Sequence, residues 1–500
     1  MTFSTINKMM GYVFVLLKMI FASNTKDNAK INAKNLLEII RCAGSNILPI
    51  VEGGKGVGVS NGITAGNFAK NNAVGTFSGV NADYINDNGE YEPIIYKGTT
   101  RLERHEELVE YAIKGAVSQA KRAFDIACGK GKVHMNVLWE MGGASRVLQG
   151  VLERAKGLIN GVTCGAGMPY QLAEIAAKYQ VHYYPIVSSM RAFKILWKRS
   201  YEKFSLWLGA VVYECPWRAG GHNGLSNAEN PLEPQSPYHR IAELRKFMNE
   251  VGLNEVPIIL AGGVWHVKDH EEYLNNPEIG PIMFQFGSRP VFTQESPVSN
   301  EWKQKMLTLN KGDILLNKFS PTGFYSSAVV NKFLKKLINR SNREVAFSSE
   351  QNEKFTVEFR FGPRGRAVFF EQSNFENIKK WIEEGNSEIL KTPDNTVVFV
   401  SPAEKNEIVK DQQDCMGCLS YCSFSNWSTH FEGMTTGKTP DPRSFCIQKT
   451  LQNAIHTNDI ENNLMFSGSV AYKINEDPWY QGGKFMPTIK QLVERITTGY

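Results

Sequence analysis

The segment of this chain best suited to chemistry is Ala219-Gly220-Gly221-His222-Asn223-Gly224. It follows a long apolar run, Leu206 to Cys215, that reads as a buried strand. A strand ending in glycines lets backbone approach a ligand closely, because no Cβ stands in the way. One histidine in such a turn can take or hold a proton near neutral pH. A base beside a close-packed planar ligand suits chemistry on a small carbon acid.

Such a turn needs a frame. Eight apolar runs read as strands: Ile47 to Val51, Val74 to Val80, His134 to Trp139, Leu158 to Cys164, Tyr183 to Val187, Leu206 to Cys215, Val256 to Leu260 and Pro281 to Phe286. Helix-like stretches lie between them. Leu102 to Ile126 repeats apolar residues at a helical period, and Tyr170 to Tyr179, Arg191 to Phe204 and Pro237 to Val251 behave similarly. Short apolar strands alternating with amphipathic helices imply βαβ units and a parallel sheet. Eight of them predict an α/β fold of the (β/α)8 TIM-barrel type. The rival, an open doubly wound sheet, is disfavoured by that count and by the lack of a GxGxxG after the first strand.

Chemistry in such a barrel sits at the C-terminal strand ends. Those ends read Glu52-Gly53-Gly54, Asn136 within the third strand, Gly165-Ala166-Gly167, Ser188-Ser189, the His222 turn, Gly262-Gly263 and Gly287-Ser288. Most are small, as a large flat ligand over the barrel mouth demands. Loops after strands seven and eight are the usual phosphate site of this fold, with backbone N–H groups aimed at the anion. Gly262, Gly263, Gly287 and Ser288 stand there. Turn glycines without a ligand are the plainer alternative.

The domain reading is an N-terminal helical extension over 1–45, a barrel over 46–300, barrel trim and an insertion with a hairpin over 301–402, and a cysteine-bearing segment over 403–500. The hairpin is Phe355 to Phe361 and Ala367 to Phe370 around Gly362-Pro363-Arg364-Gly365. Gly11 to Leu17 is apolar between Lys8 and Lys18, short for a membrane span. It reads as a packed helix or as a signal core ending near Ala22.

In the last segment, Cys415, Cys418 and Cys422 are followed by Cys446. Four thiols at this spacing can meet zinc or an iron–sulfur cluster, with His430 as a substitute ligand; structural thiols are the alternative. Eight cysteines in 500 residues are no disulfide framework, so a reducing cytoplasm is the simplest setting. A net charge of +6 over this length does not call for nucleic acid. His182, His239, His266 and His270 read as structural or surface residues.

With these pieces in order, the chain resembles the nitronate monooxygenase (2-nitropropane dioxygenase-like) flavoproteins. The matching residues are the Ala219 to Gly224 turn, Pro257-Ile-Ile-Leu-Ala-Gly-Gly263, Phe284-Gln-Phe-Gly-Ser-Arg289 with Glu295-Ser296, Asn136 and Gly165-Ala-Gly-Met-Pro169. Cys415-Met-Gly-Cys418, Phe445-Cys-Ile447 and Phe466-Ser-Gly-Ser469 resemble the tail of a longer bacterial subgroup. The resemblance implies a barrel binding FMN, with its phosphate on Gly262, Gly263, Gly287 and Ser288. It also implies Asn136 and Gln285 facing the ring or ribityl chain, and His222 as the base or the anion-positioning group. The backbone of Gly53, Gly54, Gly165, Gly220 and Gly221 would complete the cofactor site. The implied reaction oxidises an alkyl nitronate with dioxygen to a carbonyl compound and nitrite. Small-molecule partners, no nucleic acid, no membrane span and a homo-oligomer go with it.

The chain departs from the family pattern in three places. Glu214-Cys-Pro-Trp-Arg218 is one residue longer than expected, Ser288 replaces the usual threonine, and Trp217 and Arg218 are bulky beside the pocket. Arg218 would suit an acidic substrate. Two other functions fit the same frame: a flavin- and NAD(P)H-dependent enoyl-thioester reductase, and a non-catalytic binding or assembly component.

Overall fold

All eight apolar runs contribute strands to one closed, all-parallel barrel. The computed structural model describes residues 35–480 and 485–500. The barrel strands are β1 (Ile50–Glu52), β2 (Val74–Ser78), β3 (Lys132–Leu138), β4 (Gly161–Gly165), β5 (His182–Val187), β6 (Val211–Glu214), β7 (Ile258–Ala261) and β8 (Ile282–Phe286). They pair in chain order, and β8 returns to β1 with Phe284 opposite Ile50, which closes the ring. The apolar stretch Gly11 to Leu17 lies outside the described residues.

Side chains alternate along each strand, so every second residue enters the bore. Val51, Val74, Tyr184, Val212, Ile259 and Met283 pack there in one buried cluster. Cys42 and Ile47 join it from a short hairpin, Ile40–Cys42 with Ser45–Ile47, ahead of β1. The first apolar run is therefore split between this hairpin and β1.

The sixth run is also split. Its strand begins only at Val211, because Tyr201–Trp207 coils into 3₁₀ turns and leaves Leu206 83 % exposed. An apolar run does not by itself distinguish strand from helix. Gly209 marks the change: a Cβ there would lie 2.2 Å from the Tyr184 ring.

Helices α1 (Gly62–Lys70), α2 (Arg101–Ala127), α3 (Ala144–Arg154), α4 (Leu172–Lys178), α5 (Met190–Arg199) and α6 (Pro237–Glu250) occupy connections between strands. A reciprocal cap between Thr100 and Glu103 starts α2. Helix α1 has no strong apolar period, because it packs by smallness. A Cβ on its Gly62 would meet the Gln119 carbonyl of α2 at 2.3 Å.

After β8 the chain leaves the barrel wall, and its last helix, Ile489–Thr497, packs against α1. Ile489, Leu492, Val493 and Ile496 of this helix are buried. Both carboxylate oxygens of Glu295 accept from the Ile489 N–H at 3.0 Å. Leu492→Ala is expected to destabilise the fold by about 2–5 kcal/mol, because the cavity it leaves lies between packed helices. Chemical denaturation followed by circular dichroism checks this; an unchanged midpoint contradicts the packing.

The intervening residues cover the rim. Strands β9 (Ile314–Asn317) and β10 (Ser326–Val329) pair antiparallel. The outer edge of β10 takes the two-residue strand Gly221–His222, with Ser326 opposite His222. The hairpin Val357–Phe361/Arg366–Phe370 and a three-stranded sheet share a separate core of Phe361, Phe370 and Phe399. Among the described residues no helix is long and apolar enough to cross a membrane.

Candidate active site

The strand ends meet in one cavity at the C-terminal rim. Its empty space, open mouth included, is about 1710 Å³. The twelve residues expected from the sequence to serve as the base and to bind the cofactor all line it. Gly53 and Gly54 follow β1, Asn136 is on β3 and Gly165 ends β4. Gly220, Gly221 and His222 follow β6, Gly262 and Gly263 follow β7, Gln285 is on β8, and Gly287 and Ser288 follow it.

Alternation explains the floor. Val212 and Met283 point into the bore, so Glu214 and Gln285, two residues on, point into its top layer. Asn136 joins them from β3, above His134, which stacks on Tyr184 in the bore. Glycines keep this layer open. A Cβ on Gly54 would stand 2.3 Å from Asn136 Cγ. Gly263 has φ +85, where an L side chain is strained, and a Cβ there would press on Arg218 at 2.6 Å.

The cysteine-bearing segment supplies the roof. A Cβ on Gly220 would lie 2.6 Å from the Gly468 nitrogen, so only glycine lets these two loops touch. Phe466 meets the His222 ring edge-on at 5.4 Å. Ser467 Oγ lines the cavity, buried and without a hydrogen-bond partner. The loop after β8 is open instead: a Cβ on Gly287 would find nothing within 4 Å. An open backbone loop beside an unsatisfied hydroxyl and the Ser288 side chain fits a phosphate bearing a flat ring system.

His222 is held by the insertion. Its Nε2 lies 2.6 Å from Ser320 Oγ, which in turn lies 2.9 Å from Thr322 Oγ1. Burial pushes its pKa down from 6.5 to about 4, so the imidazole is neutral at physiological pH. Lys55, also on the rim, is tied to Glu52 Oε1 at 2.8 Å and to the Gly53 carbonyl at 3.0 Å.

The two bulky residues part company. Trp217 anchors the loop: its Nε1 donates to the Asn230 carbonyl at 3.0 Å, and Arg240 lies over its ring. Arg218 lines the cavity. Cys418 also borders the cavity, while Cys415, Cys422 and Cys446 sit in the apolar core beneath the roof. Burial and mutual repulsion push the Cys418, Cys422 and Cys446 thiols up. Ser425 Oγ donates to Cys415 Sγ at 3.0 Å. Among the described residues no three Cys, His, Asp or Glu side chains converge as metal ligands, His430 included.

Sequence reading missed Ser320, Lys55, Glu214 and Ser467 as members of the site. Only Ser467 carried a signal, within Phe466-Ser-Gly-Ser469. The others depend on a long-range contact or on the phase of a strand.

No curated protein matches the chain. Among solved structures, FabK from Thermotoga maritima is similar at 14% identity and a TM-score of 0.46, covering 90% of this chain and 91% of that one. The enoyl reductase domain of MlnA from Bacillus amyloliquefaciens gives 13% identity and a TM-score of 0.49 over 90% and 93% of the two chains. A nitroalkane oxidase from Streptomyces ansochromogenes gives 14% identity and a TM-score of 0.41 over 58% and 78%. The sequence model of the nitronate monooxygenase family matches residues 112–499. The chain belongs to the nitronate monooxygenase family of FMN-dependent oxidoreductases.

Proposed function

We propose that the protein oxidises alkyl nitronates with FMN and dioxygen, yielding a carbonyl compound and nitrite. One observation carries the reading: a neutral imidazole, His222, faces a glycine-floored cavity at the C-terminal rim of a barrel of this family. Gly262, Gly263, Gly287 and Ser288 would hold the FMN phosphate, with Ser467 closing over it. Asn136 and Gln285 would meet the ring or ribityl chain, over the backbone of Gly53, Gly54 and Gly165. Bound FMN would accept two electrons from the substrate and pass them to dioxygen.

A nitronate arrives already deprotonated, so the residues need to hold an anion rather than create one. A neutral histidine can do so with a single N–H. If Ser320 donates to Nε2, the proton resides on Nδ1 and is available to a nitronate oxygen. An imidazole with a conjugate-acid pKa of about 4 is a weak base for a neutral nitroalkane. The reading therefore favours the nitronate over its parent acid.

A second reading, reduction of an enoyl thioester by NAD(P)H, draws support from the apolar upper wall. Val59, Val291, Trp302, Met306, Ile447 and Leu451 line it, and they suit an acyl chain. The absorbance spectrum of the purified protein separates the two. Flavin bands that bleach on anaerobic addition of an alkyl nitronate support the oxidase. Bands that bleach only with NADPH move the assignment to the reductase. A colourless protein that takes up no FMN leaves neither enzyme reading standing, and the non-catalytic component replaces them.

A further inference from the structure

Among the described residues Glu214 is the one acidic side chain lining the cavity, and the mechanism above does not use it. It ends β6 and lines the cavity. Its two companions on the floor, Asn136 and Gln285, are amides that never carry charge. Among the described residues its carboxyl has neither a hydrogen-bond partner nor a cation.

Among the described residues none of the charged and titratable groups of the surrounding elements pairs with it. After β1, Lys55 is bound to Glu52. After β6, Arg218 runs along Gly263. From the same loop, His222 bonds Ser320. Below, on β3, His134 is a neutral ring stacked on Tyr184 of β5, its pKa lowered by burial to about 3. From the roof, Cys418 is a buried, protonated thiol. The β7 neighbour in register is Ala261.

Under a bound flat ligand a carboxylate placed so would lose its hydration and gain no partner, which disfavours the charged form. A carboxylic acid avoids that cost by keeping its proton, and it gains a donor that an amide floor can orient.

We propose that Glu214 is held as a neutral carboxylic acid and donates its proton in a hydrogen bond to an acceptor atom of the FMN ring, completing an uncharged floor with Asn136 and Gln285. This rests on the reading that FMN fills the cavity. Desolvation agrees with it: burial raises the Glu214 pKa from 4.5 to about 8. Above that value a bare negative charge lies under the ligand, and affinity falls as pH rises.

The test compares wild type, Glu214→Gln and Glu214→Ala without any substrate. FMN affinity is read by quenching of flavin fluorescence, and protonation by the carboxylic-acid C=O infrared band of FMN-free protein. For wild type we expect that band at neutral pH, absent from Glu214→Gln. We also expect FMN affinity to be flat below about pH 8 and then to fall by up to about tenfold per pH unit. Glu214→Gln, which keeps an uncharged donor, should bind FMN within about threefold of wild type at neutral pH, and its affinity should stay flat where wild type declines. Glu214→Ala, lacking the donor, should bind about tenfold more weakly at all pH values.

A missing infrared difference overturns the proposal, as does an alkaline decline shared by Glu214→Gln. Equal FMN affinity in Glu214→Ala and wild type overturns the hydrogen bond. If wild type shows the acid band yet binds no FMN, the flavin reading itself has failed and the donor role falls with it.

Discussion

His222→Asn lowers turnover on a preformed nitronate by about 10²–10⁴-fold and leaves FMN bound. Asparagine is small and polar, so the glycine turn and its pairing with Ser326 survive. What it loses is a ring nitrogen on the cavity side, joined through Nε2 to Ser320 and Thr322. Stopped-flow bleaching of the flavin bands measures the loss, and the visible spectrum of the resting variant shows that cofactor is retained. Full activity in the variant removes His222 from the chemistry.

The pH profile carries the same argument further. Burial holds the ring neutral until pH falls to about 4, against 6.5 for an ordinary imidazole. Lowering the pH through 6.5 therefore leaves its state unchanged, and only near 4 does it charge. The acid limb of kcat/KM that disappears in His222→Asn is expected near pH 4. A limb near 6.5 that disappears in the same variant means that the ring is solvated, contrary to its packing under Phe466.

The barrel was legible because its strands are short, apolar and separated by helices, which leaves period and length to separate them. The rim was legible for a related reason: glycines that recur at successive strand ends mark a place where side chains would obstruct a close approach. Two kinds of feature stayed hidden. Gly62–Lys70 is a helix whose buried face is made largely of glycine and alanine, so it shows little amphipathic contrast. Ser320 reaches His222 and Ser467 reaches the cavity only because the chain after β8 folds back over the rim, and contacts across about a hundred residues or more leave no local pattern. The cysteines were legible only as a spacing, and the fold brings Cys415, Cys418 and Cys422 into one apolar core with Trp427 and Phe445. Glu214 was hidden by its strand, since only the phase set by Val212 reveals that it faces inward.

Gly287→Ala weakens FMN binding by at least about tenfold and leaves the stability of the FMN-free protein unchanged. Most glycine substitutions at this rim confound two effects. At Gly263 a side chain meets both an unfavourable φ and the Arg218 stem, and at Gly54 it strikes Asn136. Either change could unfold the rim before it tests the ligand. At Gly287 the backbone needs no special φ, and an added Cβ meets nothing within 4 Å. The methyl therefore meets none of the described residues, and Gly287 itself lines the cavity. If the phosphate rests on the N–H groups of this loop, the methyl holds it off them and lengthens charge-assisted hydrogen bonds, each worth about 1.5–3 kcal/mol. Thermal unfolding without FMN and fluorescence titration with FMN separate the two quantities. An equal midpoint with a tenfold or greater rise in Kd places the phosphate at the loop after β8. An unchanged Kd moves it elsewhere on the rim, and a lowered midpoint means that the space beside Gly287 is already needed by the protein.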